Sequence, residues 1–271
     1  MINEISDAIR TEIEAELNAI ELKHDVEIIF AVESGSRAWG FPSPDSDYDV
    51  RFVYVHKPEW YLSLKPGRDV IERPISDELD ISGWDLRKAL NLLVAANPVL
   101  QEWLRSPIRY RWRDDDCKRL LELSKQTGFL AACTYHYRQT LKSHFERDIA
   151  DRSAISLKKY FYSLRPALAL HSLQLRPESV PPMNLQQLLL GLPDDAVPKE
   201  EIWHLVRTKL STSEIREGER FTAIDEYLER WFNEIGKVAS SPKNATLRSD
   251  AEAFFRNCLI PNQRPTHARN G

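Results

Sequence analysis

The sequence predicts an α+β protein: an α/β half up to about residue 113, then an all-helical half. Three observations carry that prediction. Short runs dense in branched residues, bounded by Gly, Pro and Asp, fill the first half, as in "DVEIIFAV" and "YDVRFVYV". The β signals then fade. Long runs of helical type replace them, such as "KEEIWHLVRTKL".

Taken in order, residues 4–22 set Ile5, Ile9, Ile13, Leu17 and Ile20 at helical spacing, and "DVEIIFAV" reads as a buried strand. "GSRAWGFPSPDSDYDVRFVYV" follows as a glycine-bounded turn, a proline-rich loop and a second strand over Tyr48 to Val55. Residues 36–40 suit a short helix. "DVIERP" and "ELDIS" predict two shorter strands. "SGWDLRKALNLLVAAN" predicts a helix begun by Ser82, with Asp85 three residues later as a capping-box variant. The later helices fall in "DDCKRLLELSKQ", "LAACTYHYRQTLKSHFERDIA", "AISLKKYFYSLRPALALHSLQ", "KEEIWHLVRTKL" and "ERFTAIDEYLERWFNEIGKVA". "RPESVPPMN" is a loop, and residues 259–271 predict a flexible tail.

Charged residues at 29% and hydrophobic ones at 42% are globular proportions. No apolar run approaches the ~18 residues that cross a bilayer. The start, "MINEISDAIRTEIEAEL", is acidic and amphipathic, unlike a leader peptide. A cytoplasmic protein with no membrane partner is expected. Cys117, Cys133 and Cys258 are too few and scattered for a disulfide framework or a zinc site, so they read as reduced thiols. The net charge of −4 offers no general attraction to nucleic acid. Locally, however, Arg138, Lys142, Arg147, Arg152, Lys158, Lys159, Arg165 and Arg176 face only Glu146, Asp148 and Asp151 across one segment. That surplus points to an anionic ligand, with a solvated helix face as the alternative.

The second strand carries the chemistry. Alternate residues share a face, so Asp47, Asp49, Arg51, Val53 and Val55 lie on one side and Tyr48, Val50, Phe52 and Tyr54 on the other. The second face is apolar and must pack on helices; the first is carboxylate only at its entry. Acids one strand step apart repel, which is tolerable if a cation sits between them. An EF-hand reading of Asp45, Asp47 and Asp49 fails, because its sixth and twelfth positions hold Val50 and His56. A solvated loop is one remaining reading. The other is a Mg²⁺ site for phosphoryl chemistry, which asks for such oxygen ligands and a phosphate-holding turn nearby. Gly35-Ser36 supplies that turn directly after a buried strand, and Arg37 adds a charge.

Strand, Gly-Ser, spacer and D-x-D on the next strand together resemble the DNA polymerase β-type nucleotidyltransferase superfamily. "GSRAWGFPSPDSDYDVRFVYV", "LDISGWDLRKAL" and "KYFYSLRPALAL" are similar, more narrowly, to the predicted nucleotidyltransferases linked to RNA repair, over about residues 25–190. The resemblance implies a polymerase β-type catalytic domain, a mixed sheet with helices, over residues 1–113. A helical nucleotide- and acceptor-binding domain would follow over 114–258.

It also implies transfer of NMP from an NTP, ATP as first choice, to an acceptor hydroxyl, most naturally on an RNA end. Mg²⁺, with Mn²⁺ as its substitute, would be held by Asp47, Asp49 and a third acid. Asp80 suits that place, because Glu78, Asp80 and Ser82 share a face of "ELDIS" opposite Leu79 and Ile81. Asp77 has the wrong parity, and Asp85 is explained as a helix-start residue. Gly35, Ser36 and Arg37 would hold the β- and γ-phosphates. In "LKKYFYSLRPALAL", Leu157, Tyr160, Phe161, Leu164 and Leu168 form an apolar stripe, and Lys158, Tyr162 and Arg165 another face. Lys158 and Arg165 would reach the triphosphate and Tyr162 would stack on a base, with an ordinary surface edge as the alternative. Pro166 would bend this helix. His136 reads as structural, Trp39 as a pocket wall, and Trp84 and Trp103 as core. Two other functions remain in view: nucleotidylation of a protein or small molecule, and a catalytically silent nucleotide-sensing module.

Overall fold

A computed structural model of the chain describes residues 5–65, 67–73, 78–152, 154–211, 217–218, 220–234 and 245–260. Asp77 and most of the tail lie outside these residues. The first half runs α1 (Asp7–His24), β1 (Val26–Glu33), α2 (Ser36–Trp39), β2 (Tyr48–His56), α3 (Pro58–Tyr61), β3 (Val70–Glu72) and β4 (Leu79–Asp85). Then come α4 (Leu86–Val94), α5 (Pro98–Trp103), β5 (Arg109–Trp112) and α6 (Asp114–Lys125). The second half holds α7 (Phe129–His144), a π-helical turn (Phe145–Ile149), β6 (Ile155–Ser156) and α8 (Leu157–Leu175). It continues with α9 (Leu185–Leu190), α10 (Lys199–Leu210), β7 (Glu217–Gly218), α11 (Thr222–Asn233) and α12 (Leu247–Leu259).

The five-stranded sheet has the order β3-β4-β2-β1-β5 and is mixed. β2 lies antiparallel to β1 and parallel to β4, while β3 and β5 close the edges antiparallel. The apolar parity of β2 is used as the pattern requires. Val50, Phe52 and Tyr54 pack with Ile13, Leu17 and Ile20 of α1 on one side. Val53 and Val55 pack with α4, α6 and α12 on the other. β6 and β7 form a separate two-stranded ribbon.

Three features differ from the sequence expectation. Ser82 does not start a helix: parallel pairing to β2 carries β4 on to Asp85. Asp85 is itself the N-cap, its Oδ1 accepting from the Arg87 amide at 2.8 Å. The strand can continue because Gly83 leaves room for the Phe52 ring, which a Cβ would meet at 2.3 Å. Second, α6 and α12 fall beyond the division at residue 113. Their buried residues, among them Cys117, Leu120, Ala251 and Phe254, nevertheless join the sheet's core. Third, "RYRW" is a strand, β5. The helical half has its own core around α8, which stays helical through Pro166. All three cysteines are buried thiols. No helix among the described residues is long and apolar enough to cross a membrane.

Candidate active site

The parallel β2–β4 ladder sets Asp49 opposite Asp80 and Arg51 opposite Ser82. Both acids therefore sit at the entry ends of their strands, on one face of the sheet. Arg51 bridges them, its Nη2 lying 3.1 Å from Asp49 Oδ1 and 2.7 Å from Asp80 Oδ2. Its Nη1 donates to the Asp80 carbonyl at 2.8 Å. The cation between the repelling carboxylates is thus a guanidinium from the same strand. Asp47 stands exposed just before β2. Burial, opposed by Arg51 and reinforced by Asp80 and then Asp47, lifts the Asp49 carboxyl to about 6.

Gly35 fixes the other wall. Its backbone sits at φ 84° and ψ −154°, a conformation that is essentially glycine's alone. A Cβ there would lie 2.1 Å from Asp49 Oδ2. The Gly-Ser turn therefore packs directly on the carboxylate it precedes by fourteen residues. Ser36 opens the single helical turn of α2, as its position suggested.

Glu33 was not singled out in the sequence, yet it ties this corner together. It is fully buried at the end of β1. Its Oε1 accepts from the Asp49 amide at 2.8 Å, and its Oε2 accepts from the Tyr110 hydroxyl of β5. The Ser34 amide donates to the Asp49 carbonyl at 2.8 Å. Burial raises Glu33 to about 7, against the hydrogen bonds from Tyr110 and the Asp49 amide, which lower it. An acid inside "FAVES", directly before the Gly-Ser turn, was the available signal.

Arg37 points back to its own loop. Its Nη2 donates to the Ser46 carbonyl at 2.6 Å and its Nε to the Asp47 carbonyl at 3.2 Å, with the guanidinium 3.8 Å over the Tyr48 ring. Beyond it the loop enters the helical half. Phe41 stacks on Phe161 at 4.2 Å, Gln186 Nε2 donates to the Gly40 carbonyl, and buried Lys209 donates to Ser43 Oγ at 2.6 Å. Trp39 meets Tyr162 edge-on at 5.8 Å.

The expected face of α8 splits. The positive charge of Lys158 acts on Asp49, and its Nζ lies 5.8 Å from the Tyr162 ring. Arg165 leaves this group. It is buried and pairs with Glu102 of α5 at 2.7 Å, donates to the Met183 carbonyl and lies over Trp39. Tyr137 donates to the same Glu102 oxygen at 2.6 Å. From Ser163 to Ser172 every residue of α8 is buried, so an arginine there has no path to a solvent cleft. The basic surplus of 138–176 is also partly spent internally: Arg147 and Lys159 pair with Asp148, and Lys142 loosely with Glu146. His136 is partly buried, which lowers its pKa. Trp84 and Trp103 pack as a tilted ring pair in the sheet's core, centroids 3.9 Å apart.

Residues 9–257 match the model of the RNA repair pathway DNA polymerase beta family. The chain belongs to that family. A protein of Bacillus subtilis (strain 168) described as "Uncharacterized protein YcgL" is 42% identical over 228 residues, 84% of this chain and 87% of that one. A crystal structure of a nucleotidyltransferase-like protein from Exiguobacterium sibiricum 255-15 aligns with 90% of this chain and 75% of its own. It does so at 13% identity and a TM-score of 0.30.

Membership of a polymerase beta family raises the question of a divalent ion. Among the described residues, no three His, Cys, Asp or Glu side chains stand close enough to hold an ion as they are. Arg51 occupies the place between Asp49 and Asp80 where a divalent cation was expected. The donors nonetheless suit Mg²⁺: they are hard carboxylate oxygens, and Arg51 engages one oxygen of Asp49 and one of Asp80. Asp49 is itself packed against a glycine whose missing Cβ makes the cradle.

Proposed function

We propose that this protein is a Mg²⁺-dependent nucleotidyltransferase that moves NMP from an NTP to a hydroxyl at an RNA end. One observation carries the reading: Asp49 and Asp80 lie opposite each other on parallel strands, beside a Gly35 turn that packs on Asp49. Family membership supports nucleotidyl transfer, and the family's description supports an RNA context.

Asp47, Asp49 and Asp80 would hold Mg²⁺, with Mn²⁺ as its substitute. The bound ion supplies Lewis-acid neutralisation of the phosphates and of the entering and leaving oxygens. The Gly35 and Ser36 amides and the Ser36 hydroxyl orient the β- and γ-phosphates. Lys158, whose charge already reaches Asp49, meets the triphosphate, and Tyr162 beside it stacks on the base. Asp80 accepts the proton as the acceptor oxygen bonds to the α-phosphorus and the bond to the β-phosphate oxygen breaks, releasing pyrophosphate. Arg51 offsets the repulsion between the two acids before substrate arrives and competes for their oxygens. Arg37 and Arg165 take supporting parts, one clamping the loop and the other joining α5 to α8.

The net charge of −4 favours a second reading, the same transfer to a protein or small-molecule hydroxyl. Incubating the protein with each α-labelled NTP, Mg²⁺, small RNAs and cell extract separates the two. Label in RNA supports the proposal, label in protein the second reading, and label in neither a catalytically silent module.

A further inference from the structure

We propose that the cleft between α7 and the α4–α5 corner receives an unpaired base of the RNA acceptor; this rests on the RNA-end reading above. The cleft is a shallow, solvent-open depression with a volume of about 540 Å³. Tyr135, His136, Gln139 and Ser143 of α7 line it, facing Asn97 and Pro98. Their spacing keeps them on one face of the helix.

The lining is aromatic, amide, hydroxyl and apolar, with no Asp, Glu, Lys or Arg. Burial lowers the pKa of His136, so its imidazole is neutral at pH 7. Such a surface offers a phosphate no cationic side chain, and suits a flat neutral ring carrying donors and acceptors. Tyr135 is 66% exposed, a large aromatic face turned to solvent. Arg138 and Lys142 occupy the adjoining strip of α7 beside the Tyr135 edge, where a backbone leaving the cleft would pass.

At its His144 edge the cleft approaches α8. His144 is among its lining residues and lies 5.4 Å from the Tyr162 ring. Tyr162 carries Lys158 Nζ at 5.8 Å, and Lys158 acts on Asp49. An RNA strand leaving the cleft past His144 would therefore run toward Tyr162 and Lys158 of α8.

The test uses the full chain with Mg²⁺. Binding of a fluorescein-labelled single-stranded RNA octamer is followed by anisotropy, and binding of a fluorescent ATP analogue is followed separately. Tyr135→Ala and Gln139→Ala change exposed side chains and leave the fold intact. The expected result is RNA binding weakened about ten-fold or more by Tyr135→Ala, in line with loss of one stacked base. Gln139→Ala should have a smaller effect, and ATP-analogue binding should not change. An octamer of abasic ribose-phosphate should bind the wild type at least ten-fold more weakly than the RNA. RNA binding unaltered by Tyr135→Ala, equal binding of abasic and normal RNA, or matched loss of ATP-analogue binding would each overturn the proposal. Wild type that binds the ATP analogue and no RNA also overturns it, while leaving nucleotidyl transfer standing. Wild type that binds neither removes the underlying reading as well.

Discussion

Glu33 offers a sharp thermodynamic test, because its carboxyl is buried beside the candidate catalytic acids. Held at about 7 in the folded protein against an ordinary value of 4.5, it favours the protonated form on folding by about 3 kcal/mol. Below pH 4.5 it is protonated in both states and costs nothing. Between pH 4.5 and 7 the unfolded chain releases the proton and the folded one keeps it, so stability falls as pH rises. Above 7 the slope vanishes. Asp49, raised from 3.8 to about 6, acts in the same direction. In EDTA, Glu33 alone should lower stability by about 2 kcal/mol between pH 5 and 7.5, or roughly 4–8 °C in Tm for a chain of this size. Glu33→Gln keeps an acceptor for the Asp49 amide and a polar partner for Tyr110, but has no titrating proton. Differential scanning calorimetry at both pH values should show a smaller Tm drop in the variant. A wild-type Tm that is flat or rises over this range, or an equal drop in Glu33→Gln, refutes the reasoning.

Three further outcomes follow from the same geometry. Asp49→Asn should leave Tm unchanged or higher in EDTA at pH 7.5, because burial costs the charged carboxylate more than Arg51 returns, and should abolish transfer when Mg²⁺ is supplied; a large Tm loss would make Asp49 a structural acceptor. Arg165→Met should destabilise the protein by about 3–5 kcal/mol in urea denaturation, since it strands Glu102 in a buried site. A variant of normal stability with a raised KM for NTP would restore Arg165 to the triphosphate. Gly35→Ala should cost about 1–3 kcal/mol from its backbone conformation alone and displace Asp49, and full activity at wild-type Tm would contradict the packing described.

What the sequence made legible follows from locality. The alternation of β2 is a two-residue pattern, so the faces of Asp49, Arg51 and Val53 were readable, as was the parity of Asp80 in "ELDIS". Pairing of β2 with β4 links positions thirty-one apart, and the pattern alone did not say that Arg51 would bridge the two acids. Ser82 looked like a cap because a hydroxyl before a helical run satisfies free amides; the ladder to β2 and β3 outweighed it. Arg165 was misplaced because helical arithmetic locates a residue on its own helix and says nothing of Glu102 on another. β5 escaped notice because Arg109 and Arg111 interrupt it, and Arg111 is held there by Glu14 and Glu21 of α1. Glu33 was hidden for a related reason: its partners, Tyr110 and the Asp49 amide, come from the strands on either side.

The most direct test of the central claim follows the two ends of ATP. With Mg²⁺ and an RNA acceptor, the protein should place the α-phosphorus label on RNA and release the γ label as pyrophosphate. Both signals should vanish in Asp49→Asn and in Asp80→Asn. Release of the γ label as orthophosphate, its transfer to the acceptor, or undiminished transfer in either variant would contradict the account.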